Sequence, residues 1–256
     1  MIDILPEHSA GFVRQLGPEP DDLLVEMDEY AADHDAEKFA GEKRFPHVGP
    51  EVGGWLQWLA GLVSARRVFE FGSGFGYSAY WFARALPDDG EIVLTDLDEG
   101  ELSQARDFLD RGGVGELARY EHGDALETID RYDGPFDVVL LDHRNDQYPE
   151  AFEAVRKKVA PGGLLVADNV MTAVIIEFEQ LARAFDEGEP PTRANEHTNG
   201  IYEYLTAVQE APEFETAVLP VGGGIAVSYR RHRDGRSRPA TDSAVGQTNN
   251  QTERSD

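Results

Sequence analysis

The sequence predicts an α/β fold, with a doubly wound and mostly parallel sheet of seven strands and an antiparallel hairpin at its C-terminal end. From residue 66 onward, five short apolar runs alternate with helical lengths of chain, as in a parallel sheet with crossover helices. Two further apolar runs flank the glycines at 222–224, which is the turn chemistry of a hairpin. These features together indicate a Rossmann-like architecture.

The five parallel strands are expected to end in acids along one edge of the sheet. The runs are RRVFEF, EIVLTD, ARYEHGD, FDVVLLD and GLLVAD, at residues 66–71, 91–96, 118–124, 136–142 and 163–168. Four of them lead into Asp96, Asp124, Asp142 and Asp168, and the first contains Glu70. Ligands of open α/β sheets bind at the carboxyl ends of the strands, so we expect the functional site there.

Helical spacing of apolar residues predicts two helices before the sheet, one over residues 22–40 and one after Pro50. We expect residues 1–44 to form an N-terminal helical extension and residues 45–232 the main domain. Residues 233–256 have almost nothing to bury, which predicts a disordered tail. Trp55 and Trp58 mark a candidate homodimer face or lid, although core packing is the better explanation for at least one of them.

The composition excludes several classes of function. A formal charge of −26, from 49 acids and 23 bases, would repel nucleic acid and anionic membranes. Because only four of the bases are lysine, the composition also indicates a halophile, whose salt screens self-repulsion. There is no cysteine for a disulfide or a thiolate site. With no signal-peptide pattern and no long apolar stretch, we expect a cytoplasmic protein.

A glycine-rich loop follows the first strand and precedes a helical pattern. Gly72, Gly74 and Gly76 would let the backbone turn tightly and approach a ligand closely. Their G-x-G-x-G spacing departs from the G-x-G-x-x-G of dinucleotide sites, which disfavours a nicotinamide dehydrogenase. A nucleoside without a pyrophosphate, such as S-adenosylmethionine, fits better, with Asp96 or else Asp98 on its ribose.

Hard oxygen donors gather at the ends of two strands that should be neighbours. Asp142 ends one strand, and Asp168 and Asn169 end the next, so the three could share a magnesium ion. Helix capping or loop solvation is the alternative reading of the same residues. Zinc is disfavoured because His143 is the only histidine of the cluster. His47 and His122 are expected to be solvated or capping residues.

These motifs, taken in order, resemble the class I S-adenosylmethionine-dependent O-methyltransferases of the catechol and caffeoyl-CoA type, over roughly residues 45 to 230. The residues that carry the resemblance are HVGPEVGGWLQWL, VFEFGSGFGYSA, GDALE, FDVVLLDHRNDQY, PGGLLVADNV and LPVGGGIAV. The pairing of D-H-x-x-D-x-Y with A-D-N-V is more specific than the glycine loop.

The resemblance implies two sets of site residues. The family's divalent-metal ligands correspond to Asp142, Asp168 and Asn169. The implied cofactor contacts are Gly72, Gly74 and Ser78 along the methionine part, Asp96 on the ribose, Asp124 and Ala125 beside the adenine, and Val48, Glu70, Gly76 and Asp142 around them.

One departure from the family concerns the general base. Catechol-type members carry a lysine three residues after the first metal aspartate, where this chain has Asn145. An amide cannot take a proton, so either metal coordination acidifies the hydroxyl without a base, or His143 replaces the lysine. Asp142, His143 and Asn145 are therefore the candidate catalytic residues.

The resemblance implies methyl transfer from S-adenosyl-L-methionine to a hydroxyl of a small, catechol-like acceptor, with Mg²⁺ or another divalent cation. Two alternatives stay open at this point. One is a metal-independent methyltransferase with another acceptor, and the other is a protein that binds S-adenosylmethionine without catalysis.

Overall fold

The structure is a computed structural model, and it describes residue 4 and residues 6–38, 47–172 and 175–232. Its helices are α1 Glu7–Leu16, α2 Asp22–Lys38, α3 Gly49–Leu62, α4 Tyr77–Ala83, α5 Glu99–Arg111, α6 Ala125–Ile129, α7 Tyr148–Val155, α8 Phe178–Glu187 and α9 Glu196–Glu210. Its strands are β1 Arg67–Phe71, β2 Glu91–Asp96, β3 Ala118–His122, β4 Phe136–Leu141, β5 Val159–Ala167, β6 Phe214–Leu219 and β7 Ile225–Arg230. The tail predicted at 233–256 lies outside the described residues.

The strands form one seven-stranded sheet in the order β3-β2-β1-β4-β5-β7-β6. The first five pair in parallel, and β7 pairs antiparallel with both β5 and β6. This arrangement confirms the predicted mixed sheet and its C-terminal hairpin. Because the chain order reverses between β1 and β4, a crevice opens at the carboxyl ends of those two strands.

Apolar side chains from both faces of the sheet form two buried clusters. Val68, Leu94 and Val138 point to one face, and Phe69, Val93 and Val139 point to the other, as the two-residue period of a strand requires. Every one of these side chains is fully buried. Near-continuous apolar strands are expected where helices cover both faces of a parallel sheet.

Helix α2, in the predicted N-terminal extension, packs into the first of these clusters. Its Leu24 and Met27 are completely buried. The following helix, α3, approaches α4 closely at Gly53, where an added Cβ would lie 2.2 Å from the Trp81 indole. Both helices are therefore part of the main core, and α3 brings the chain to one wall of the crevice. Among the described residues, no helix is long and apolar enough to cross a membrane.

Candidate active site

The ends of β4 and β5 bring together the three predicted metal ligands. Leu141 pairs with Ala167 in the sheet, so the residues that follow each strand are neighbours. The Asn169 Nδ2 atom lies 3.3 Å from Asp142 Oδ1 and 3.3 Å from Asp168 Oδ2. Two carboxylates and an amide thus meet at one point of the sheet edge.

The two carboxylates of this cluster have few partners for their charge. Burial raises the pKa of Asp142 well above the usual range of an aspartate, and the charges of Asp168 and Glu70 raise it further. Burial also raises the pKa of Asp168, whose Oδ1 has no hydrogen-bond partner. Both acids therefore resist ionisation until a positive charge is placed between them.

The C-terminal hairpin holds the loop that carries Asn169. The backbone N–H groups of Val170, Met171 and Thr172 donate to the carbonyls of Gly224 and Gly223 over 2.8 to 3.0 Å. Asn169 itself has a φ of 58°, and its Oδ1 would lie 2.4 Å from a Cβ at Gly223. The absence of a side chain at Gly223 therefore leaves the room in which this amide sits.

The chemistry of this donor set fits a hard divalent cation. Carboxylate oxygens and amide oxygens are the ligands that Mg²⁺ prefers, and the planar amide of Asn169 can offer its oxygen. In the part of the chain that the structure describes, no group of three or more His, Cys, Asp or Glu side chains could hold a metal ion. The cluster of Asp142, Asp168 and Asn169 is not such a group, because its third member is an asparagine amide.

Beside the cluster, the glycine loop forms the floor of a cavity of about 460 Å³. Gly72 has a φ of 79°, and a Cβ there would lie only 2.5 Å from the Asp142 carbonyl oxygen. Gly74 has a φ of 50° with no atom within 4 Å of an added Cβ, so its backbone is open to a ligand. A side chain at Gly72 would push the two loops apart.

The acid at the end of β2 is fixed by the backbone around it. Asp96 Oδ2 accepts from the Gly74 N–H at 2.9 Å, and Oδ1 accepts from the Asp98 N–H at 2.8 Å. Burial raises the pKa of Asp96, and these two hydrogen bonds counteract the rise. Asp98 instead caps α5 by accepting from Gly100 N. Both acids line the cavity, and Asp96 is the one that is tied directly to the glycine loop.

The other predicted cofactor residues lie at different depths around this cavity. Those in its wall include Val48, Ser78, Asp124, Ala125 and Asp142. Two predicted residues do not line it. Glu70 lies fully buried below the loop, where burial raises its pKa to about 8 and the Ser78 hydroxyl offsets little of the rise. Gly76 faces α5, where an added Cβ would meet Ala105 at 2.9 Å.

Neither of the two candidate base residues after Asp142 is well placed to take a proton. The His143 ring stacks on Tyr148 at 5.2 Å, and burial lowers its pKa to about 4. The Asn145 side chain is fully buried, beneath α9, where Gly200 leaves room for the backbone of Asn145. His143 lines the cavity but Asn145 does not.

Sequence reasoning missed several residues of the cavity wall, and His47 is one of them, because it was expected to be solvated or to act as a cap. That expectation is wrong, since the His47 ring lies in the wall and its Nε2 is 2.7 Å from Asp28 Oδ1. Its position just before the conspicuous V-G-P of the α3 start was the available signal. His122, by contrast, is exposed and bonds the Leu97 carbonyl.

Comparisons with known proteins point in one direction. Residues 26–231 match a protein-family model described as O-methyltransferase. A catechol O-methyltransferase of Niastella koreensis is 34% identical over 128 residues, which are 48% of this chain and 58% of that protein, so the chain spans less than two thirds of that relative. A caffeoyl-CoA O-methyltransferase of Petroselinum crispum is 28% identical over 188 residues, covering 70% of this chain and 75% of that protein.

A solved structure shares the fold. The O-methyltransferase TomG from Streptomyces achromogenes, involved in tomaymycin synthesis and solved in complex with SAM, has a TM-score of 0.74 at 24% identity. The superposition covers 91% of this chain and 100% of that one.

Proposed function

This chain belongs to the O-methyltransferase family, and we propose that it transfers a methyl group from S-adenosylmethionine to one hydroxyl of a small catechol-like acceptor, with a divalent cation. The observation that carries this proposal is the convergence of Asp142, Asp168 and Asn169 beside the glycine-loop cavity. The two curated relatives described above are named for a catechol and for caffeoyl-CoA.

The cavity offers suitable groups for each part of the cofactor. The Asp96 oxygens each accept one backbone N–H and keep further lone pairs for ribose hydroxyls. Glu70 is fully buried on β1 and does not line the cavity, but a cation close to it, such as the cofactor's ammonium group, would offset the cost of its burial. Asp124 and Ala125 would border the adenine at the far end of the same wall.

Asp142, Asp168 and Asn169 would hold the cation. When bound, a divalent cation there would lower the pKa of an acceptor hydroxyl and orient a second, adjacent oxygen. This requirement for two neighbouring oxygens is the reason that a vicinal diol is the proposed acceptor.

The chain's own contribution to the reaction is mainly alignment. The acceptor oxygen forms a bond to the methyl carbon while the carbon–sulfur bond breaks, and the electron pair of that bond leaves on a neutral thioether. Holding two reactants in line is worth roughly 7–11 kcal/mol in well-oriented systems. The tight contact of Gly72 with the Asp142 carbonyl fixes the cofactor loop against the acceptor side.

An acceptor panel with labelled S-adenosylmethionine and magnesium tests this function. We expect catechols to be methylated at least roughly ten times faster than matched monophenols, because one chelating oxygen is missing from a monophenol. Asp142→Ala provides the inactive control. Tight binding of S-adenosylhomocysteine without turnover on any acceptor would instead favour a non-catalytic binding protein.

A further inference from the structure

His47 occupies a part of the cavity wall that the proposed mechanism does not use. Its ring packs edge-on against Tyr77, with centroids 4.5 Å apart, and lies 5.9 Å from the Phe75 ring. All three side chains line the cavity that Asp142 also lines. His47 therefore lines the same cavity as Asp142, one of the three proposed metal ligands.

The C-terminal hairpin turn shows on which side of that cavity His47 lies. A Cβ at Gly222 would be 3.8 Å from the Val48 carbonyl oxygen, and a Cβ at Gly223 would be 2.4 Å from Asn169 Oδ1. One turn thus contacts both the segment that carries His47 and the amide of the proposed metal site. An acceptor held near that amide would approach the His47 side of the cavity.

The contact with Asp28 sets which nitrogen of the neutral ring carries the hydrogen. Asp28 Oδ1 lies 2.7 Å from His47 Nε2, and an ionised carboxylate can only accept, so Nε2 donates. In the neutral ring, Nδ1 is then the nitrogen with a free lone pair. Across the described residues, Nδ1 is buried and has no hydrogen-bond partner, so a proton donor that reached it would offset the cost of its burial. A carboxylate that orients an imidazole in this way also stabilises the imidazolium formed when the ring takes a proton.

The other polar side chains near this site are ill suited to take a proton. Asn145 is an amide and is fully buried. Burial lowers the pKa of His143 to about 4, which makes it a weak proton acceptor. Burial raises the pKa of Tyr77, and the Asp28 charge adds to the rise, so this phenol stays protonated. Glu51, also near Tyr77, is paired with Arg14 at 3.1 Å.

We propose that His47, oriented by Asp28 from α2, is the general base of the methyl transfer, a role that rests on the function proposed above. Nδ1 takes the proton of the acceptor hydroxyl as the oxygen bonds to the methyl carbon. The carbon–sulfur bond breaks and the sulfur leaves as a neutral thioether. The imidazolium, held by Asp28, then returns its proton to water.

Two acceptors that differ in acidity separate a base from a merely structural histidine. One is catechol, and the other is a nitrocatechol whose hydroxyl is already ionised at the assay pH. We expect His47→Gln to lower kcat/KM for catechol by roughly 100-fold, the usual worth of a general base, and for the nitrocatechol by less than about 3-fold. Asp28→Asn should show the same selectivity with a smaller loss.

The controls are His122→Gln, which changes an exposed histidine outside the cavity, and the affinity for S-adenosylhomocysteine, which should be unchanged in every variant. If His47→Gln lowers kcat/KM equally for both acceptors, or for neither, the role of His47 is overturned. A selective loss in His143→Gln in place of His47→Gln would overturn it too. If His47→Gln no longer binds S-adenosylhomocysteine, the ratio of the losses on the two acceptors is measured in Asp28→Asn instead, and the same criteria apply.

Wild-type protein that methylates neither acceptor would refute the proposed function itself.

Discussion

The acids at the carboxyl edge of the sheet fall into two groups with different surroundings. After β2 and β3, Asp96 accepts two backbone N–H groups, and Asp124 accepts the Leu126 N–H at 2.8 Å as the cap of α6. After β4 and β5, Asp142 and Asp168 face each other with only the Asn169 amide between them, 3.3 Å from each. The first group is fixed by backbone donors from its own loops, whereas in the second the Oδ1 atom of Asp168 has no hydrogen-bond partner.

This difference indicates what each half of the edge is for. Acids already fixed by backbone donors form a rigid surface that can accept hydroxyl groups of a nucleoside without rearrangement. A buried pair of like charges is costly, and a cation would remove that cost. The half after β2 and β3 therefore suits the cofactor, and the half after β4 and β5 suits a metal ion.

Removing divalent cations should have the largest effect, because it should abolish the function of the metal half of the edge and leave the cofactor half unchanged. With excess EDTA, we expect methylation of catechol to fall by at least roughly 100-fold, the scale of a lost electrostatic stabiliser, and to recover on adding magnesium. The affinity for S-adenosylhomocysteine, measured by calorimetry in the same buffers, should stay within about 3-fold. Methylation that continues undiminished would favour the metal-independent alternative, in which Asn145 marks a different acceptor class.

The converse change is Asp96→Asn in the cofactor half. Because a charged acceptor for ribose hydroxyls is lost, we expect the Kd for S-adenosylhomocysteine to rise by about 10-fold, equal to roughly 1.4 kcal/mol. Manganese affinity, followed by electron paramagnetic resonance, should not change. A variant that weakens manganese binding as much as cofactor binding would show that the two halves are not separate.

The smallest expected effects are on the stability of the metal-free protein, and they have opposite signs. Asp124→Ala removes a helix cap and should lower the free energy of unfolding by about 1 kcal/mol. Asp168→Asn removes the buried member of a pair of repelling carboxylates and should raise the free energy of unfolding by roughly 1–2 kcal/mol at pH 7. Urea unfolding in EDTA measures both changes. A lower free energy of unfolding in Asp168→Asn would contradict the proposed difference between the two groups of acids.

The pH dependence of the same measurement follows from the raised pKa of Asp168. Between the ordinary aspartate range and neutrality, the folded state keeps a proton that the unfolded state has lost. The free energy of unfolding of the wild type therefore falls as pH rises through that window. The advantage of Asp168→Asn should accordingly disappear below about pH 3, where the carboxyl is protonated in both states.

Much of the fold could be predicted because its signals are local. Apolar runs that end in Asp96, Asp142 and Asp168 predict parallel strands with acids at one edge, and parallel pairing makes those ends neighbours. The glycines at 222–224 predict a tight turn without any knowledge of the rest of the chain.

The sequence could not indicate which distant segments would contact these local elements. The bond of His47 to Asp28 joins α2 to the wall of the cavity, and helical periodicity does not specify which exposed acid of α2 meets which loop. The contact of Gly223 with Asn169 likewise depends on where the hairpin returns. Asn145 stands at the position where catechol-type members carry a lysine, but packing against α9 places it outside the cavity.

The most direct test of the central claim is a crystal structure with manganese and S-adenosylhomocysteine, with an anomalous difference map at the manganese edge. We predict a single strong peak next to Asp142, Asp168 and the Asn169 oxygen, at the mouth of the cofactor cavity. A map with bound cofactor but no peak there, and with the Asn169 nitrogen still donating to both carboxylates, would contradict the account.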